Sequence, residues 1–277
     1  VNDMAVDPFP YWMKEPSKKV MERLQKITSM ITSTMTVRRI CYMLFPGVHG
    51  KKLENAYNNT IKDVVRLRIR GEVDWDMIRE SRCEFVQPWD YYAFDNVDDF
   101  IATESDDGET LADRYERNRS AAHLRNILVW FEKDTVEPEF KEICGKYHVP
   151  IVCGRGQATW SIKKKLSDFL NDGWVVLYCG DNDEKGHEIM DVIERDLKYF
   201  DCDAEVKWVM VTEEMEEEYN LPEEARLDDF DLEDLKSILE NIILKYIDKK
   251  KLKEIEDDEE EDRERLRNCR LVLEEDE

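Results

Sequence analysis

Two short apolar runs, each ending on acids, set the strongest limit on how this chain can fold. Ile127-Leu128-Val129-Trp130-Phe131 stops at Glu132, and Trp174-Val175-Val176-Leu177-Tyr178-Cys179 passes through Gly180 into Asp181-Asn182-Asp183. Both runs are rich in β-branched and aromatic residues and lack polar alternation, the pattern of strands buried on both faces. Such strands belong to parallel sheets with helices on each side, so the chain reads as α/β. In an open parallel sheet, ligands bind outside the carboxyl ends of the strands, which is where these acids stand. Three carboxylates drawn together repel one another unless a hard cation lies among them, and oxygen ligands that leave positions open suit Mg²⁺. The plainer alternative is that Asp181 and Asp183 only cap the helix that begins near Lys185, since acids favour helix N-termini.

Further residues extend the pattern. Glu132-Lys133-Asp134 follows one strand, Gly154-Arg155-Gly156 follows the next, and Gly180-Asp181-Asn182-Asp183 leads to Gly186. Together they resemble the Toprim domain. More narrowly, they resemble the version found in the A subunit of type IIB topoisomerases (topoisomerase VI), in its meiotic double-strand-break relatives and in the stand-alone Mini-A proteins of mobile elements. Those relatives commonly follow the second aspartate with Pro, a small or polar residue and Gly, whereas Glu184 and Lys185 precede Gly186 here. The resemblance implies that Glu132, Asp181 and Asp183 hold Mg²⁺ and that Glu132 also serves as a general acid or base.

A second segment, Thr36-Val37-Arg38-Arg39-Ile40-Cys41-Tyr42, resembles the surroundings of the catalytic tyrosine in the same family, where an arginine stands four residues before the tyrosine. It implies Tyr42 as nucleophile with Arg38 facing the phosphate. Arg39 stands where relatives often have an acidic or amide residue, and Cys41 where they have an aromatic one. Without the resemblance Tyr42 reads as a core tyrosine on a helix, and a phenol with a pKa of about 10 is a poor nucleophile at neutral pH.

The rest of the chain divides around these segments. Residues 1–16 carry three prolines with Phe9, Tyr11 and Trp12 and suggest an extended arm. Residues 17–92 suggest a mainly α winged-helix domain: a helix from Ser17 with Val20, Leu24, Ile27 and Ile31 at helical spacing, a second capped by Thr36 and ended by Pro46-Gly47, and a third from Lys51 to Arg70 stopped by Gly71. On the third helix Leu53, Tyr57, Ile61 and Val64 share one side, and Lys62, Arg66 and Arg70 form a basic row on another. In a winged helix that last helix enters the major groove, so these three are the candidate DNA contacts; the alternative is an ordinary solvated face. Residues 93–123 read as a connector. Residues 124–248 read as the Toprim domain with a mostly parallel sheet flanked by helices, closed by an amphipathic helix through Leu232, Leu235, Leu239, Ile242 and Tyr246. Lys249-Lys250-Lys251 suits that helix's C-terminus, and 249–277 reads as an acidic tail for which a helix is one open form.

The net charge of −24 looks wrong for a nucleic-acid protein until its distribution is considered. Glu213 to Glu277 holds 11 basic and 27 acidic residues, whereas Met30 to Tyr92 holds 10 basic and 8 acidic ones. The acidic end is either a solubilising flank or a nucleic-acid mimic that competes for a basic groove. With no apolar run near 18 residues and no signal-like start, the chain is expected to be soluble, cytoplasmic and without a membrane partner. Seven cysteines with no CxxC spacing read as reduced thiols rather than a zinc site or a disulfide framework.

The sequence therefore suggests a DNA-cleaving isomerase of the type IIB topoisomerase A-subunit kind, with Mg²⁺ as cofactor and double-stranded DNA as substrate. The resemblance further implies a homodimer whose half-sites come from different protomers. Gly154-Arg155-Gly156-Gln157 lacks the phosphate-cradling GxxxxGK[ST] pattern, so ATP-driven strand passage would need a separate B-type ATPase subunit. Two alternatives stand beside this reading: a Toprim nuclease that leaves Tyr42 structural, and a non-catalytic winged-helix regulator.

Overall fold

The computed structural model describes residues 15–47, 50–79, 84–86, 93–98, 100, 111–156, 158–170 and 173–274. The arm apart from Glu15 and Pro16, residues 87–90 and 103–110, and Gln157 lie outside them. The chain forms two compact units, one of residues 1–82 with 159–161, the other of 83–158 with 162–277.

In the first unit, α1 (Lys18–Met30) buries Leu24 and Ile27, with Val20 and Ile31 packed at the margin. Ser17 marks its start by backbone rather than side chain: its carbonyl accepts from the Val20 and Met21 amides at 2.9 Å. Thr36 caps α2 (Val37–Leu44) as its sequence suggests, Oγ1 accepting from the Arg39 amide at 3.2 Å. α3 (Gly50–Ile69) packs Val64 and Leu67 against Leu24, Ile27 and Ile40. It ends in a left-handed Gly71 (φ +70°), with the Gly71 amide bonded to the Arg68 carbonyl and the Glu72 amide to the Leu67 carbonyl. This is a Schellman closure, in which a glycine takes the positive φ that other residues resist. The returning chain brings Val73 and Ile78 into the same core and makes an isolated bridge between Ile78 and Met35. Among the described residues the return is that bridge and not a two-stranded wing.

The second unit is a five-stranded sheet in the order β1 (Glu84–Val86), β3 (Ile151–Cys153), β2 (Ile127–Phe131), β4 (Val175–Cys179), β5 (Glu205–Met210). β3, β2, β4 and β5 run parallel, and β1 joins the β3 edge antiparallel. The pair β2 and β4 is buried on both faces as its composition predicts. Ile127, Val129, Phe131, Val175 and Leu177 face α5 (Glu137–Lys146), which follows the short α4 (Leu111–Arg114), and α9 (Leu232–Leu244), which follows the short α8 (Glu213–Glu218), while Leu128, Trp130, Val176 and Tyr178 face α6 (Trp160–Phe169) and α7 (Glu184–Tyr199). β1 lies within 17–92, yet it belongs to this sheet and places the break between units near residue 82 rather than 92. Three residues are too few to show a period, so the sequence did not mark it as a strand.

The C-terminal segment also differs from its expectation. Residues 249–274 are a helix, α10 (Lys249–Glu274), a form the sequence left open; what differs is that it packs on the folded part instead of extending beyond it. Asp248 starts it, its Oδ1 accepting from the Lys250 and Lys251 amides at 3.0 and 3.1 Å, so the three lysines open this helix instead of closing α9. Its inward stripe runs Leu252, Ile255, Glu259, Asp262, Leu266. The two acids in the stripe are matched: Asp262 accepts from Tyr115 Oη and Arg117 Nε, both at 2.8 Å, and Glu259 accepts from the Arg117 amide at 2.8 Å and pairs with Arg119 at 3.2 Å. Tyr115, in the segment read as a connector, packs with Phe94, Phe100, Val97 and Leu266 in a small core of its own. No helix among the described residues is long and apolar enough to cross a membrane.

Burial separates the two kinds of acid on α10. Asp262→Ala should cost about 2–3 kcal/mol in denaturant melts, because it strips a phenol and a guanidinium of their buried acceptor. Glu261→Ala, on the exposed face, should change stability by less than about 0.5 kcal/mol.

Candidate functional site

Register brings the two acid-bearing strand ends together. Phe131 pairs with Cys179, and the Glu132 amide donates to the Cys179 carbonyl at 3.1 Å. The Gly154 amide donates to the Phe131 carbonyl and the Gly156 amide to the Glu132 carbonyl, so the ends of β2, β3 and β4 are knitted by main-chain bonds. Gly154 admits this closeness, since a Cβ there would stand 2.5 Å from the Trp130 indole nitrogen.

Asp181 is the fixed centre of the arrangement and is 4% exposed. Its Oδ1 accepts from the Leu227 amide at 3.0 Å, and its Oδ2 pairs with Lys133 Nζ at 2.6 Å. Burial works against the Lys133 charge, but its hydrogen bond to Asp181 and the attraction of Asp181, Glu132 and Asp228 raise its pKa on balance. Asp183 caps α7 through Oδ1, which accepts from the Gly186 amide at 2.7 Å. A Cβ on Gly186 would collide with the Asp181 carbonyl oxygen, which explains a glycine at that place. Glu132 is half-buried. Its Oε2 has no hydrogen-bond partner among the described residues, and its pKa is raised, first by burial and then by the charge of Asp181, with Asp183 adding a smaller push and Lys133 opposing.

The three predicted acids thus stand at neighbouring strand ends and feel one another's charge. Among the described residues, however, no group of three or more His, Cys, Asp or Glu is arranged as a ready-made metal cage. Lys133 supplies the positive charge at Asp181, and the capping bond takes one oxygen of Asp183. The donor chemistry fits a hard cation, with the orphaned Glu132 oxygen and the second Asp183 oxygen left for it. The cap reading and the ligand reading of Asp183 are compatible, because each uses a different oxygen.

Sequence reasoning gave no role to Lys133, although it quoted the residue, and missed the loop that closes over Asp181. Asn182 donates to Glu216 Oε1 at 2.8 Å, and the same oxygen accepts from the Ala225 amide at 2.8 Å, binding the segment before Leu227 to the Asp181 turn. Beside it opens a cleft of about 770 Å³ lined by Asp183, His187, Glu213 and Glu217 among others, with His187 stacked on Trp208 at 4.2 Å. Nothing in the spacing of these residues announces their meeting.

In the first unit, Ile40 and Cys41 are buried and turn α2's other face outward, leaving Tyr42 52% exposed. Tyr42 is therefore not a core tyrosine. It lines a cavity of about 410 Å³ with Arg38, Cys41, Leu53, Glu54 and Tyr57. The basic row on α3 is uneven. Lys62 and Arg70 are exposed, but Arg66 is 8% exposed and lies 4.0 Å from buried Asp63, which also pairs with Arg23. Arg70 approaches Glu72 at 3.8 Å.

The raised Glu132 pKa carries a sign. A carboxyl that holds its proton more tightly when folded makes the native state lose stability as pH rises from its ordinary range through the raised value. Glu132→Gln should therefore melt higher than the wild type at pH 7. The difference should shrink as pH falls and vanish below about 4.3, where the unfolded carboxyl is also protonated. Melts across pH 4 to 8 check this. Compared with protein-family models, with curated proteins and with solved structures, the chain matches none.

Proposed function

We propose that the chain cleaves DNA strands through a phosphotyrosyl bond, in the manner of a type IIB topoisomerase A subunit. In this reading the first unit is the winged-helix domain and the second the Toprim domain. The observation that carries it is the pairing of β2 with β4, which sets Glu132, its pKa raised, beside Asp181 and Asp183. A carboxyl with a raised pKa, set among further acids at the carboxyl ends of parallel strands, suits phosphate chemistry. Exposed Tyr42, one helical turn from Arg38, supplies the nucleophile.

In the chemical step a bond forms between Tyr42 Oη and the phosphorus while the bond to the sugar oxygen breaks. The phenol gives its proton to solvent, and the departing sugar oxygen takes one, so the link is conserved as a phosphotyrosyl ester that the reverse reaction reseals. Glu132, whose environment favours the protonated carboxyl, is suited to give and reclaim that second proton. Arg38 holds a phosphoryl oxygen by charge and hydrogen bonding. The oxygens left on Glu132 and Asp183 would hold Mg²⁺, with Asp181 beside them adding its charge, and the ion would supply positive charge to the phosphoryl oxygens when bound. Lys133 holds Asp181 in place through their ion pair. The family resemblance adds a homodimer, with Tyr42 of one protomer serving the acids of the other, and a separate ATPase partner for strand passage.

Denaturant-quenched reactions with double-stranded DNA and Mg²⁺ should give protein covalently attached to DNA, and Tyr42→Phe should reduce it to background. Cleavage that survives this change would point to metal-dependent hydrolysis with Tyr42 as a bystander. DNA affinity should fall on charge reversal at Lys62 or Arg70, with the slope of log K against log salt flattening by about one for each phosphate that is no longer neutralised. Arg66 is the poorer probe, since its burial beside Asp63 mixes binding with stability. Binding unchanged across salt concentrations would remove α3 from the DNA face.

A further inference from the structure

We propose that Tyr57 positions Arg38 for attack by Tyr42, an inference that rests on the strand-cleavage reading. The Arg38 guanidinium stands over the Tyr57 ring, 5.7 Å from its centroid, and both residues line the cavity that holds Tyr42. α2 and α3 share a core through Ile40, Leu44, Val64 and Leu67, so the ring is presented from a surface whose place relative to α2 is fixed. Among the described residues no carboxylate pairs with Arg38. An acid would hold the guanidinium but cancel the charge that a phosphate needs. An aromatic face holds it by attraction to the ring quadrupole and leaves both the charge and the N–H edges for a bidentate contact with phosphoryl oxygens.

Tyr57 therefore acts through Arg38 and touches no reacting atom. Leu53, one turn earlier on α3, lines the same cavity, and Glu54 also lines it. At about 410 Å³ the cavity is within the range that takes a small ligand or a short stretch of nucleic-acid backbone.

The experiment compares the full chain with Tyr57→Leu and Tyr57→Phe by three measurements. The first is the NMR shift of the Arg38 side-chain protons, which a nearby ring displaces. The second is the single-turnover rate of covalent adduct formation on double-stranded DNA with Mg²⁺, and the third is DNA affinity. Tyr57→Leu should return the Arg38 shift toward its random-coil value and slow adduct formation about tenfold to a hundredfold, the scale of a misplaced reacting group. Affinity and melting midpoint should stay near those of the wild type. Tyr57→Phe keeps the ring and should recover most of the lost rate. Equal rates in wild type and Tyr57→Leu, or an Arg38 shift already at its random-coil value in the wild type, would overturn the inference. So would a Phe variant as slow as Leu, since the hydroxyl and not the ring would then matter. A ring-displaced Arg38 in a wild type that forms no adduct would sink the strand-cleavage reading itself and leave Tyr57 as a packing contact.

Discussion

The parallel pairing of β2 with β4 is the constraint from which the second unit follows. It is made of residues with no exposed surface, and its register ends on Phe131 and Cys179, so the next residues on each strand must emerge side by side. Glu132 and Asp181 are placed by that emergence. Two carboxylates leaving a dry sheet together are unstable as neighbours, and the molecule answers with the Lys133 ammonium and the Leu227 amide on Asp181. The turn through Asn182 to Gly186, the loop held by Glu216 and the start of α7 all close around this arrangement.

Much of this was legible in the sequence, because it rests on local rules. The apolar runs name β2 and β4, Thr36 and Gly71 mark helix ends, and the acids directly after the two strands come out at neighbouring strand ends. What escaped was decided by single side chains and their particular partners. Lys133 was visible as a residue but not as the partner of Asp181. Arg66 fits the row with Lys62 and Arg70 by spacing, yet Asp63, on the same helix, draws it inward. The packing of α10 was hidden for a related reason: two of the five positions on its inward stripe are acids, so hydrophobic periodicity cannot see a face that binds by matching Glu259 and Asp262 to Arg117 and Arg119.

The acidity of the chain then has two physical parts. Glu259 and Asp262 are structural groups, neutralised where they sit, and contribute to holding the connector segment. Glu256, Asp257, Glu260 and Glu261 on the same helix are exposed to solvent. A net charge counts both alike, which is why the composition alone misleads about what the C-terminal segment does.

The double-sided burial of β2 and β4 also governs where variation can enter. A strand with both faces packed accepts only changes that keep volume and polarity, because any other leaves a void or forces a clash in a close-packed layer. The residues beyond each strand end are under no such restriction, save where a carboxylate or glycine is anchored. Drift across descendants of this chain should accordingly pass over β2 and β4 and gather in the rim loops and on exposed helix faces, where the chain can change without the sheet being rebuilt.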